Sequence, residues 1–564
     1  MKKGIIAVVL LLLLFYGGYQ YTIVNRGSMV KNEQGYESGV AAVREVLLEA
    51  ARENLSVYLE DRCIDDFGFR VFVNDSFEVV AASDFLEDIV GCSILRYPKG
   101  EIHVERNDSE AIFWEGEKTA LVNKNKIELS EPVFCDAAGI SYLPVDAFLS
   151  EMSFSADYDA IKTRVTFHRI DDKNALPDKY DMRERGRLSE IRDQGKYGTC
   201  WAFASLGALE SSLLPYEENV FSVDHMSMNN SFHRTLSDGG EHTISIAYLA
   251  AWQGPVYEKD DPYGDGETDA SLKAVKHLEE AIVINERDDA VIKSAIYKYG
   301  GVETSLYMGL EYVGDISNYY NEEKYSYYCD EPKTENHDIV IVGWDDHYPK
   351  ENFTVQPTKD GAFICRNSWG TEFGEAGYFY VSYEDKNLCR QSIVYTRIAG
   401  NDNFDNIYQS DTIGWVGQMG FGVSSAFFAN CYTAKKQETL KAVSFYATAP
   451  DTEFSVYLTH NFNDVDSLKD REYLVSGRTR YAGYYTVRVP EGISLGSGEK
   501  YAVIVSVATP SSTNPIAVEY SIPERNIEVD LSDGEGYISL YGEGWHSAEE
   551  AGCNVCLKAF TDDQ

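Results

Sequence analysis

The alternation of apolar and polar residues along this 564-residue chain changes character several times, and each change predicts a different kind of element. Lys2 and Lys3 precede an uncharged run from Gly4 to Val24, which as a helix would span about 30 Å, enough for a bilayer core. From Gln34 to Asp61, and clearest over Val40 to Leu59, apolar residues recur at helical spacing with charges of both signs between them. Val79 to Arg106 and Ser141 to Arg169 each read as strand, short helix and hairpin, an internal repeat with a period of roughly 60 residues. The short helices fall at Asp84-Phe85-Leu86 and Ala147-Phe148-Leu149.

Cys200 opens a run that is apolar nearly all round, through Trp201, Phe203, Leu206 and Leu209, and Pro215 ends it. A helix with no polar face is predicted to be buried. Ile339 to Trp344 and Phe363 to Arg366 read as buried strands. A polar link over 401–408 is followed by short alternating runs at Val443–Ala447, Phe454–Leu458, Tyr485–Val489, Tyr501–Val507 and Ala517–Tyr520. Their period of two, with Gly, Pro and Asp between them, predicts an antiparallel β-sandwich. The chain is too long for one core, and three folded units are expected.

A net charge of −41 argues for a soluble surface repelled by polyanions, and against nucleic-acid binding. The basic residues ahead of the apolar run hold that end in the cytoplasm and export the rest. An uncleaved signal-anchor is favoured over a signal peptide, because Gly17-Gly18-Tyr19-Gln20-Tyr21 is a poor cleavage site. Ten cysteines in an exported chain invite disulfides, although their spacing is not that of a dense scaffold. The lone pair Cys553 and Cys556 would face opposite ways on a strand, so no metal site is expected there.

Candidate chemistry centres on Cys200. A cysteine where a glycine-containing loop becomes a helix meets unpaired backbone N–H groups, which favour a thiolate, although most buried cysteines are small core hydrophobes. Gln194, six residues earlier, is near enough to form an oxyanion hole with the Cys200 N–H. His337 would supply a base held on rigid structure, Asn367 would accept from its ring, and Trp369 would cover that bond from water. His103 and His168 are isolated on expected strands.

The order Gln194, Cys200, His337, Asn367 resembles that of the papain-like cysteine peptidases. Tyr197-Gly198-Thr199-Cys200-Trp201 departs from the family signature at Tyr197, usually a disulfide cysteine, and at Thr199, usually a smaller residue. His337 follows Cys200 by 137 residues, within the usual range, whereas Asn367 follows by 167, which implies an enlarged loop around Asp345 to Gly361. Leu176-Pro177 and Asp181-Met182-Arg183 resemble the start of the mature enzyme, and the resemblance extends to about Tyr395. It implies a helical subdomain facing a β subdomain, with Gly239 and Gly240 along the substrate cleft and Trp369 beside it. For the segments holding His225 and His242, the resemblance implies a packing role behind the cleft for His225 and a pocket position for His242.

Residues around Tyr142-Leu143-Pro144 resemble a copper amine oxidase N-terminal-like module, without clustered ligands that would imply copper. Such a module would space the enzyme from the cell wall or cover its cleft. Tyr408-Gln409-Ser410-Asp411 resembles the lectin-like domain that follows some bacterial surface proteases. Its tyrosines would fill strand faces or, less favoured, stack on sugars. The expected α+β organisation is therefore 1–24 signal-anchor or signal peptide, 25–62 linker, 63–170 repeated module, 171–398 peptidase and 399–564 β-sandwich. The expected function is extracytoplasmic peptide-bond hydrolysis without cofactor or metal, with a protein or peptide substrate. Cell-wall glycan is a candidate partner of the C-terminal domain, the membrane one of the N-terminal segment. The alternatives are a surface binding protein with an inert peptidase-like unit, a cell-wall peptide amidase, and a transpeptidase.

Overall fold

A computed structural model describes residues 55–60, 62–64, 70–106, 109–160, 162–169, 176–523 and 527–564. The membrane-segment and signal expectations at 1–24, and the helical stretch as far as residue 54, lie outside the described residues. Where that stretch enters them it is not helical: Ser56–Leu59 is a strand, paired in parallel with Arg164–Arg169. The β-favouring pair Val57 and Tyr58 and the open edge of that hairpin override the helical spacing. Among the described residues, no helix is long and apolar enough to cross a membrane.

The chain forms two compact units, Met1–Ala175 and Leu176–Gln564. In the first, the strand Val79–Ala82 leads through a short helical turn into the hairpin Ser93–Tyr97 and Glu101–Arg106. The strand Ser141–Pro144 leads likewise into Phe154–Asp159 and Arg164–Arg169, and the two leading strands pair with Tyr142 opposite Ala82. Phe85 and Phe167, with ring centroids 4.4 Å apart, and Phe113 and Phe148, 5.1 Å apart, lie in the core of this unit.

The second unit is built on one 14-stranded sheet. Its central path passes from Tyr378–Ser382 through Ala362–Arg366, His337–Asp345, Val302–Leu306, Ser392–Gly400 and Lys276–Ile284 to Ala482–Arg488, Glu438–Ala447 and Leu557–Asp563. Lys276–Ile284 pairs on one edge with Ser392–Gly400 and on the other with Ala482–Arg488. Residues on either side of the expected boundary at 398/399 therefore share one hydrogen-bonded sheet, and 176–564 is a single compact body. A second antiparallel sheet, containing Ser425–Thr433, Lys500–Ala508 and Thr452–Thr459, completes the sandwich.

The helix Cys200–Leu213 packs across one end of the large sheet, against His337–Asp345, with Trp201 through Ser211 buried. Leu214 leaves the helical conformation ahead of Pro215. Glu210, a buried carboxylate on this helix, accepts from Ser189 and from the Phe221 N–H, and the Arg366 guanidinium acts on it through space. The long loop after His337–Asp345 carries its own small core, in which Tyr348 stacks on Tyr380 at 4.4 Å and packs against Phe353. All ten cysteines are free thiols.

Candidate active site

Cys200 is the first residue of its helix, and the backbone N–H groups of Cys200 and Trp201 point to its sulfur. The loop before it is fixed at the two positions where the peptidase signature is not followed. Thr199 Oγ1 hydrogen-bonds the Tyr263 hydroxyl at 2.6 Å, and that hydroxyl donates to the Gln194 carbonyl at 2.9 Å. The Tyr197 ring meets Tyr263 edge-on at 6.2 Å. An aromatic contact and a hydroxyl relay thus brace this loop, where the family signature would place a disulfide cysteine and a small residue.

His337 begins the strand that lies against this helix, and its Nε2 is 2.7 Å from Asn367 Oδ1. The same Oδ1 accepts the Ser368 N–H at 2.8 Å, and a backbone donor can face only an acceptor, so the amide orientation is fixed. The histidine must then carry its hydrogen on Nε2, which leaves Nδ1 as the bare nitrogen able to take a proton from a thiol. The Trp369 ring lies 5.0 Å from the imidazole ring.

Gln194 is buried and held in the same way. Its Nε2 donates to the Tyr197 carbonyl at 2.8 Å, which places Oε1 on the Ser368 hydroxyl at 2.7 Å. Among the described residues, the second Nε2 hydrogen meets no protein acceptor. Gln194 N also donates to Ser368 O, and Gly370 N to Arg192 O, so the segments on either side of Gln194 and Asn367 are joined backbone to backbone.

Gly239 and Gly240 lie against the nucleophile loop. Gly198 donates to the Leu236 carbonyl, and a Cβ at Gly198 would stand 3.1 Å from the Gly239 nitrogen. A Cβ at Gly240 would stand 2.5 Å from the Trp201 indole, so that glycine is required by close packing. His225 is buried elsewhere, 2.7 Å from the Tyr248 hydroxyl, and His242 opens the helix His242–Ala250.

Two groups were not singled out in the sequence. Asp338 Oδ2 lies 4.0 Å from Cys200 Sγ, and its Oδ1 accepts from Ser305. Behind it, the buried Glu303 accepts from Ser205 at 2.7 Å and from Tyr395 at 3.2 Å. Nothing in a His-Asp dipeptide shows which hydroxyl faces it across the sheet, so only the register Ser305 opposite Asp338 could reveal the pair.

Burial pushes the Cys200 thiol up to about 12, with the Asp338 carboxylate adding to the rise and the backbone N–H groups opposing it. Burial takes His337 down to about 4, against the Asn367 hydrogen bond. Asp338 is raised to about 6 by burial, against the Ser305 bond, with Glu241 adding to the rise. Burial thus acts on both members of the candidate pair in the direction of their neutral forms. Elsewhere, His103, Glu105 and Glu110 bring ligand atoms within 4.8 Å of one another, but Glu101 and Glu110 already occupy both His103 nitrogens.

A helix bearing a cysteine at its N-terminus, packed against a sheet that carries a histidine and an asparagine, is the architecture of a papain-like catalytic unit. Residues 176–397 match the papain family cysteine protease model and residues 407–561 match the lectin like domain model. The chain therefore carries a papain-family cysteine protease domain followed by a lectin-like domain.

Among curated relatives, mouse pro-cathepsin H is 26% identical over 221 residues, 38% of this chain and 62% of that protein. Mouse cathepsin K is 28% identical over 223 residues, again 38% of this chain and 62% of the relative. The chain thus spans less than two thirds of the length of these relatives. The clostridial cysteine protease Cwp84 after propeptide cleavage is 25% identical, with a TM-score of 0.62 covering 68% of this chain and 99% of that one. A structure of the cysteine protease and lectin-like domains of Cwp84, described as a surface layer associated protein of Clostridium difficile, gives 25% identity and a TM-score of 0.59 over 69% of this chain and 89% of that one.

Proposed function

We propose that this chain is an extracytoplasmic cysteine endopeptidase in which Cys200 is the nucleophile, His337 the general base and acid, Asn367 the group that orients the imidazole, and Gln194 with the Cys200 N–H the oxyanion hole. One observation carries this reading above the others. Asn367 Oδ1 is fixed by the Ser368 N–H and receives His337 Nε2, which commits Nδ1 to act as a base.

Transfer of the Cys200 proton to His337 Nδ1 creates an imidazolium–thiolate pair from two neutral groups. Its mutual attraction and the helix N–H groups offset the desolvation of both. The thiolate adds to the peptide carbonyl, and the oxyanion receives the free Gln194 Nε2 hydrogen and the Cys200 N–H. His337 then gives its proton to the departing amine as the C–N bond breaks. It next takes a proton from water, whose oxygen attacks the thioester, and the acid product leaves with the thiol restored. Gly239, Gly240 and Trp369 would border the substrate backbone.

The N-terminal segment 1–24 would act as the export signal or anchor, and the repeated unit before residue 176, which resembles the copper amine oxidase N-terminal-like module, as a spacer or prosegment. The lectin-like domain would hold cell-wall glycan, a reading supported by the exposed rings of Tyr541 and Tyr520. An inert, purely binding unit is disfavoured by the complete Gln, Cys, His and Asn set.

Incubating the full chain with a peptide library and a thiol-directed epoxide tests the assignment. Hydrolysis and labelling of Cys200 are expected, and both should disappear in Cys200→Ala. A library left uncut while isolated peptidoglycan is cleaved would replace peptidase with amidase.

A further inference from the structure

Asp338 follows His337 directly, and its carboxylate lies at the nucleophile. Oδ2 is 4.0 Å from Cys200 Sγ, and Oδ1 is engaged by the Ser305 hydroxyl. Asp338, Ser305 and Cys200 are half-buried rather than sealed. Among the described residues, no Lys or Arg side chain forms an ion pair with Asp338, and the charged groups that act on it or behind it are acids, Glu241 at the rim and Glu303 beneath. A half-buried carboxylate without a cation of its own is costly to hold. This one lies 4.0 Å from the sulfur that a substrate carbonyl would have to reach.

We infer that Asp338, assisted by Glu241, is a specificity-determining group that selects peptides carrying Lys or Arg within two residues of the scissile bond. The inference rests on the peptidase reading above. With Oδ1 held by Ser305, Asp338 presents a single oxygen, which suits the point charge of a lysine ammonium and does not require the two-pronged guanidinium. An acidic side chain at the same place would meet like charge, so rejection is built in as well as selection. The formal net charge of −41 over the chain adds long-range attraction for cationic peptides.

The test uses the full chain and fluorogenic peptides that differ only in carrying Lys, Arg, Leu or Glu at each of the two positions nearest the cut. Kcat/KM for Lys or Arg should exceed that for Leu by at least about tenfold at one position, with Glu lowest. Asp338→Asn keeps an acceptor for Ser305 and should reduce the Lys-to-Leu ratio by about tenfold or more. Glu241→Gln, an exposed change that leaves the sheet register alone, should reduce it by a smaller factor and serves if Asp338→Asn does not fold. A wild-type ratio near one overturns the inference. So does an Asp338→Asn enzyme that shifts all peptides by the same factor, which would assign the carboxylate to the thiol alone. A wild type that cuts no peptide overturns the peptidase reading itself, and is distinguished by that.

Discussion

Gln194 and Ser368 are joined twice, once through Gln194 N to the Ser368 carbonyl and once through the Ser368 hydroxyl to Gln194 Oε1, both at 2.7 Å. The residue after Asn367 therefore fixes the Gln194 amide, the proposed oxyanion donor. Ser368→Ala should leave Gln194 Oε1 buried without a donor, at about 1–3 kcal/mol in stability. Kcat should fall by roughly tenfold with little change in KM, as an oxyanion donor loses its aim. Steady-state kinetics beside urea unfolding measures both.

Gln194→Ala removes the donor outright. Kcat should drop by about 10²–10³-fold, since a single oxyanion donor contributes on the order of 3 kcal/mol to the transition state. Alkylation of Cys200 by a reagent that forms no oxyanion should be nearly unaffected. A parallel fall in both would mean that Gln194 supports the loop and does not stabilise charge.

Gly240 is fixed by contact with Trp201. The methyl group of Gly240→Ala would sit 2.5 Å from the indole, and one of them must move. A loss of about 1–3 kcal/mol is expected from overpacking, and Trp201 fluorescence should shift as the ring yields. An unchanged unfolding midpoint would contradict the packing.

Glu303 is buried, and burial raises its carboxyl to about 8, against the Ser205 hydrogen bond and with Asp338 adding to the rise. The folded chain then holds this proton more tightly than the unfolded chain does. The associated stability is complete below about pH 4.5 and is lost as pH rises through about 8. Glu303→Gln cannot lose that proton, so its stability relative to wild type should climb across that window, by an upper bound of about 5 kcal/mol. Chemical unfolding of both proteins from pH 5 to 9 gives the difference. A flat difference would mean that Glu303 is ionised in the fold.

The elements around the site were legible because their residue types leave few alternatives. An all-apolar run stopped by Pro215 can only be a buried helix, and a β-rich run after His337 can only be a buried strand. What was not legible depends on partners distant in sequence. Ser56–Leu59 becomes a strand because a hairpin edge more than 100 residues away accepts it. The sheet that unites the peptidase and lectin-like parts depends on Lys276–Ile284 having two usable edges, which periodicity does not reveal. Tyr197 and Thr199 looked like losses from a known pattern, yet Tyr263, more than 60 residues on, gives both a use. Asp338 passed unnoticed because its importance lies in its 4.0 Å separation from Cys200, a distance that no local pattern encodes.

The central claim is that Cys200 and His337 act as one acid–base unit. It is tested most directly by the pH dependence of iodoacetamide alkylation at Cys200, resolved by peptide mass spectrometry from the nine other thiols, in wild type and in His337→Ala. The account predicts a rapid reaction in wild type that persists through neutral and mildly acidic pH, because the proton resides on the imidazole. In His337→Ala the rate should rise only on the alkaline side. Identical profiles for the two proteins, both climbing only at high pH, would contradict it.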